Sequence, residues 1–205
     1  MDYHLDEPVI TKGNLLTAET AVIMLHGRGS SADNILGLSG MLDATDVYFI
    51  APQATDAQWY PQPFTQPLSQ NQPQLDFALR RIDSLVNDLK QQITIEKIFL
   101  LGFSQGACLS LEYAVRNPNR INGVMALSGG LIGEDAEVRN HNVDLSATKF
   151  YLSCSRQDPY IPESRLMLTV KKLQQLNANL VTNLYDLPGH SVVDSDVGYL
   201  KNFLD

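Results

Sequence analysis

Residues 98–107 read Ile-Phe-Leu-Leu-Gly-Phe-Ser-Gln-Gly-Ala, and this stretch decides the fold. The four apolar residues Ile98–Leu101 have the length and continuity of a strand buried on both faces. They lead into Gly102-Phe103-Ser104-Gln105-Gly106, a Gly-x-Ser-x-Gly pattern, and then into a helical pattern over 105–116. In a chain of 205 residues with 13 glycines, the bare pattern is expected about 0.06 times by chance. A glycine-rich packing turn is the plain alternative. The strand–turn–helix setting favours a serine nucleophile on a strained turn, with glycine at 102 and 106 relieving the crowding on either side. The helix that starts here aims its N-terminal amides at developing negative charge.

Outward from this stretch, short apolar runs alternate with amphipathic segments. Ala21–Leu25, Val47–Ala51, Gly123–Leu127 and Phe150–Ser153 read as further buried strands, and Leu180–Leu187 as a weaker sixth. Between them, 75–93 carries Leu75, Leu79, Ile82, Leu85, Val86, Leu89 and Ile93 at helical spacing. Segments 31–43, 163–177 and 191–204 follow the same pattern with more noise. The β-α-β order predicts one α/β domain over 1–205, a mainly parallel, doubly wound sheet with helices on both faces. One stretch interrupts the rhythm. Residues 52–73 hold five of the ten prolines together with Trp59, Tyr60 and Phe64. Proline fixes φ and lacks an amide donor, so this reads as an ordered loop. It follows a strand end, which places it at the rim of the ligand crevice of an open parallel sheet.

A serine hydroxyl needs a base to take its proton. Of the four histidines, His4 reads as exposed in a polar N-terminus and His141 as part of a charged surface excursion. His26 ends a strand far upstream. His190, in the turn Pro188-Gly189-His190 before the last helical segment, has the chain order of nucleophile, acid, histidine that a strand–elbow–helix serine site uses. The acid then belongs after a strand between the two. Asp158 follows Phe150–Ser153 in an Asp-Pro turn, whereas Asp144 precedes that strand and Asp186 lies within the last one. An oxyanion hole requires two amide donors. The Gln105 N–H, directly after the nucleophile, is one. The Arg28 N–H in His26-Gly27-Arg28-Gly29 is the other, since glycines there let the backbone approach a substrate. Trp59, Tyr60 and Phe64 are candidate pocket walls, with internal packing of the loop as the alternative. Cys108, one helical turn after Ser104, reads as packing behind the elbow.

The bulk numbers narrow the partners. Apolar residues make up 44% and charged residues 19% of the chain, and the net charge is −8. An acidic chain with scattered Lys and Arg argues against a nucleic-acid partner. No run approaches the length of a membrane span. The N-terminus lacks the features of a secretion signal, and the two cysteines, Cys108 and Cys154, then read as free thiols in a reducing cytoplasm. No metal-ligand spacing appears, and no cofactor is implied.

The His26–Gly29 loop, Ala51-Pro52-Gln53, Trp59-Tyr60-Pro61, the Gly102–Ala107 elbow, Asp158 and Gly189-His190 resemble the phospholipase/carboxylesterase family, which includes acyl-protein thioesterases and small bacterial carboxylesterases. The resemblance spans about residues 20–195. It implies an α/β-hydrolase fold without a large cap domain. It further implies cofactor-free cleavage of small-molecule esters or thioesters by Ser104, Asp158 and His190, with Gln105 and Arg28 as amide donors. A homodimer is left open. Three places depart from the family pattern: Arg28 stands where a small apolar residue is usual, Gly106-Ala107 where two glycines are common, and Ser155-Arg156-Gln157 where a glycine-containing run is common. They count against a long-chain acyl-protein substrate. Two rival functions are a hydrolase fold reused as a ligand receptor, and lactone or peptide cleavage by the same residues.

Overall fold

The structure is a computed structural model and describes residues 3–42, 44, 46–135 and 142–204; His141 therefore lies outside the described residues. In chain order the elements are β1 (Val9–Lys12), β2 (Thr20–Leu25), α1 (Ala32–Gly37), α2 (Ser39–Leu42), β3 (Val47–Pro52), α3 (Gln74–Lys90), β4 (Lys97–Phe103), α4 (Gln105–Arg116), β5 (Gly123–Leu127), β6 (Lys149–Ser155), α5 (Glu163–Gln175), β7 (Asn179–Tyr185) and α6 (Asp194–Phe203). They build one seven-stranded sheet in the order β1-β3-β2-β4-β5-β6-β7. All neighbours are parallel except β1 and β3.

The pleat of β2 shows why apolar runs form the middle of this sheet. Successive side chains point to opposite faces. Ala21, Ile23 and Leu25 join the core under α3, α4 and α5, while Val22 and Met24 join the core under α1, α2 and α6. Both faces are covered, so no polar position is tolerated between Ala21 and Leu25, each 0% exposed. In α3 the buried positions Leu75, Leu79, Ile82, Leu85, Val86 and Leu89 form the stripe that meets the first of these cores. Truncating Ile82, fully enclosed there, to alanine removes contacts worth about 2–5 kcal/mol.

Differences from the sequence reading occur where long-range contacts overrule periodicity. The helix expected over 75–93 ends at Lys90, and Ile93 is fully exposed. Beyond Gln92 the backbone leaves the helix to pair with the 15–19 segment: Glu96 N–H donates to Glu19 O at 2.7 Å, and Thr94 Oγ1 donates to Leu15 O. Where one helix was expected over 31–43, the described residues form two short ones, α1 and α2. Ser31 caps the first through Asn34 N–H, and glycines at 37 and 40 weaken its continuation. Strand β1, absent from the sequence reading, is a four-residue antiparallel edge strand, half exposed and flanked by Pro8 and Gly13.

The winding order of the sheet reverses between β2 and β4, whose strands run parallel. From β2 the chain winds outward through β3, then returns to β4 and builds β5, β6 and β7 on the other side. The loops leaving β2 and β4 diverge at this switch point, which opens a crevice at the strands' carboxyl ends. Among the described residues no helix is long and apolar enough to cross a membrane.

Candidate active site

The turn after β4 is held in a backbone state that most residues avoid. Ser104 has φ 55° and ψ −117°, outside the ordinary L-residue regions. Its N–H donates to Leu127 O at 2.9 Å, which ties the turn to the end of β5. The flanking glycines are required by contact. A Cβ on Gly102 would lie 2.2 Å from Gly106 O, and one on Gly106 would lie 2.1 Å from Leu25 O at the end of β2. Gly27 packs so closely that its Cβ would sit 3.3 Å from Ser104 Cβ. The loop after β2 therefore abuts the serine side chain.

On the opposite wall, the β6–α5 loop presents Asp158 and the β7–α6 loop presents His190. His190 Nδ1 lies 2.7 Å from Asp158 Oδ2, and the Asp158 side chain is wholly buried. With a carboxylate on Nδ1, the proton sits there and Nε2 is left to accept. Asp158 Oδ1 accepts from the N–H of Tyr160 at 2.8 Å and of Ile161 at 3.0 Å, and the Cys154 thiol donates to Oδ2 at 3.6 Å. Burial pushes the Asp158 carboxyl up, yet the His190 bond and the two amides outweigh it and leave its pKa below the usual value. The Cys154 thiol goes the other way, pushed up to about 12 by burial and by Asp158. Tyr160 sits edge-on to the His190 ring at 5.0 Å, and Phe103 lies against the ring at 4.8 Å.

Ser104, His190, Gln105, Arg28, Tyr60 and Phe64 all line one cavity of about 490 Å³, with Gly27, Ser30, Pro63, Phe103, Cys108, Tyr160 and Ile161 completing it. Among the described residues Ser104 Oγ makes no hydrogen bond, and such bonds often tighten only when substrate arrives. Neither the Arg28 nor the Gln105 N–H meets a protein acceptor among the described residues, so both amides remain available to a ligand. Trp59 is not a cavity wall. It is wholly buried, its Nε1–H donates to His26 O at 2.9 Å, and its ring lies 5.0 Å from that of His26. The other two acids of the sequence reading stand elsewhere. Asp144 bonds Ser146 ahead of β6, and Asp186 is exposed just past the end of β7, 3.5 Å from Arg156.

The sequence model of the phospholipase/carboxylesterase family matches residues 6–205. The chain belongs to the phospholipase/carboxylesterase family. Among solved structures, a phospholipase/carboxylesterase from Dyadobacter fermentans DSM 18053 superposes with a TM-score of 0.90 at 36% identity, covering 98% of each chain. The acyl-protein thioesterase 2 of Zea mays shares the fold, with a TM-score of 0.80 at 16% identity over 97% of each chain. Two curated relatives are similar in sequence. The putative esterase NocK of Nocardia uniformis subsp. tsuyamanensis is 28% identical over 121 residues, 57% of this chain and 35% of its own. The acyl-protein thioesterase 1 of Emericella nidulans is 28% identical over 128 residues, 60% of this chain and 53% of its own. The chain thus spans about a third and about half of the lengths of these two relatives. The sheet is that of an α/β-hydrolase, with no cap domain among the described residues.

Each departure of this phospholipase/carboxylesterase family member from the common pattern has a physical partner. The Ala107 methyl is accommodated by Gly129, whose own Cβ would lie 2.6 Å from it. Ser155, Arg156 and Gln157 stitch the acid loop to the histidine loop. Ser155 Oγ donates to Leu187 O at 2.6 Å, Gln157 Nε2 donates to Asp186 O at 3.0 Å, and Arg156 N–H donates to Tyr185 O at 2.9 Å. Cys108 packs behind the elbow and also reaches the cavity, where burial pushes its thiol up to about 11. His4 is buried, not exposed: its Nδ1 accepts from Thr55 N–H and its Nε2–H donates to Trp59 O. The cavity-lining residues Pro63, Phe103, Tyr160 and Ile161 were not read as pocket residues from the sequence. Phe103 alone had a local signal, as the residue before the elbow serine.

Proposed function

We propose that the protein is a carboxylic ester hydrolase working through an acyl-enzyme on Ser104. The observation that carries this reading is that His190, bonded to Asp158 at 2.7 Å, lines the same cavity as a serine held at positive φ. Ser104 Oγ attacks the ester carbonyl while His190 Nε2 takes its proton. Asp158 holds the imidazole with its proton on Nδ1 and stabilises the imidazolium that forms. Negative charge develops on the former carbonyl oxygen, where the Gln105 and Arg28 amides and the N-terminus of α4 receive it. The tetrahedral intermediate collapses as imidazolium donates its proton to the leaving alcohol. Water, deprotonated by His190, then frees the acid. A thioester follows the same steps with a thiol leaving group. The acyl group lies against Tyr60, Phe64 and Ile161, an apolar lining that excludes water around the reacting atoms.

The test is hydrolysis of p-nitrophenyl butyrate. Ser104→Ala and His190→Ala are each expected to lower kcat/KM by ~10⁴-fold or more while thermal midpoints stay near that of the parent. Near-parental turnover by Ser104→Ala would end this reading.

A further inference from the structure

The side chains of both proposed oxyanion donors converge on one atom. Arg28 Nη2 donates to Tyr60 O at 2.8 Å, and Gln105 Nε2 donates to the same oxygen at 2.8 Å. Gln105 also accepts from Trp59 N–H through Oε1 at 2.9 Å. Arg28 completes its set with Gln62 O at 3.0 Å from Nη2, and Gln58 Oε1 at 2.6 Å and Pro61 O at 2.9 Å from Nη1. Both terminal nitrogens are thus saturated by the 58–62 segment. That segment is itself a fixed body. Trp59 and Tyr60 are buried, and Asn71, wholly enclosed, accepts from Gln62 N–H at 2.8 Å.

We propose that Arg28 is a positioning residue for the oxyanion hole, with the Tyr60 carbonyl as the reference point that keeps the Arg28 and Gln105 amides in register. The proposal rests on the esterase reading above. Arg28 stands between two glycines, Gly27 and Gly29, the latter at φ +72°. Glycines leave the backbone free to wander, so something else has to fix the Arg28 amide. The guanidinium does so, with Gly29 N–H to Ala57 O at 2.8 Å as its backbone companion. A misplacement of about 1 Å at such a donor costs ~10²-fold in rate. With four N–H groups committed to loop oxygens, the guanidinium is not a free cation for an anionic substrate. Its loss therefore acts on kcat rather than on ground-state binding.

The experiment measures kcat and KM on p-nitrophenyl butyrate, and Ki for an alkyl trifluoromethyl ketone, in the parent, Arg28→Ala, Arg28→Lys and Gln105→Ala. The expected result for Arg28→Ala is a kcat fall of about 10- to 100-fold, KM within about threefold, and a Ki rise that matches the fall in kcat/KM. A lysine ammonium cannot span four separated acceptors, so Arg28→Lys recovers only part of the loss. Added guanidinium at tens of millimolar, about the range that stays non-denaturing, restores part of the Arg28→Ala rate. Because both side chains share Tyr60 O, the double variant Arg28→Ala/Gln105→Ala, measured alongside, loses less than the product of the two single losses. An unchanged kcat, or a KM rise alone, overturns the positioning role. Should Ser104→Ala remain active, the esterase reading itself fails, whereas an inactive Ser104→Ala with an unperturbed Arg28→Ala rejects the Arg28 proposal alone.

Discussion

The elbow at 102–107 and the loop segment at 54–63 face each other across the β2 end, yet they are specified differently. In the elbow the deciding contacts are local or between adjacent strands: Gly102 against Gly106, Gly106 against the end of β2, Ser104 N–H on Leu127 O. The 54–63 segment is held by His4, His26, Arg28 and Gln105, whose partners lie 28 to 55 positions away. A local constraint writes itself into a short motif. A distributed one is spread over side chains that look unrelated in the sequence.

The elbow half of this comparison breaks most severely. Gly106→Ala places a methyl 2.1 Å from the Leu25 carbonyl, where backbone cannot yield cheaply, and is expected to cost about 3 kcal/mol in urea unfolding. Ester hydrolysis should fall with it. An alanine tolerated there within about 0.5 kcal/mol would show that the elbow is looser than its geometry. The loop half is expected to give more gradually. Asn71→Ala removes the acceptor of the part-buried Gln62 N–H and should cost about 0.5–1.5 kcal/mol. Its signature is a larger loss in the presence of Arg28→Ala than alone, since both hold the same segment.

The smallest effect expected is one of pH. His4 Nδ1 accepts from Thr55 N–H, and His26 Nε2 accepts from Ala54 N–H. Burial is the main cause that lowers both pKa values from 6.5. Both rings are neutral when folded, and the unfolded chain takes up their protons first. Their contribution is therefore present above pH 6.5 and is lost as pH falls below it. Thermal midpoints should drop between pH 7.5 and pH 5.5, and His4→Gln should shallow that drop. A midpoint that stays level over the range would mean that the loop does not depend on neutral rings.

The same contrast explains how much was legible beforehand. The six parallel strands were visible because both faces of the sheet are covered and apolar runs leave no alternative. Ser104, Asp158 and His190 could be nominated because each follows a strand in a set chain order; Ser104 and His190 line one cavity, and Asp158 bonds His190. Strand β1 escaped because four half-exposed edge residues carry no period. The burial of His4 and the retreat of Trp59 from the cavity escaped because each depends on a partner dozens of residues away. The Arg28 amide could be nominated from its glycine loop, but the four acceptors of its side chain became visible only once the 58–62 segment had a shape.

The central claim is that Ser104 is the nucleophile, and active-site labelling tests it most directly. The parent protein, treated with a fluorophosphonate and digested, should carry one phosphonyl group on the peptide containing Ser104, with hydrolysis of p-nitrophenyl butyrate lost in proportion to labelling. His190→Ala should slow that labelling sharply. A label on another residue, or full labelling of Ser104→Ala, would contradict the account.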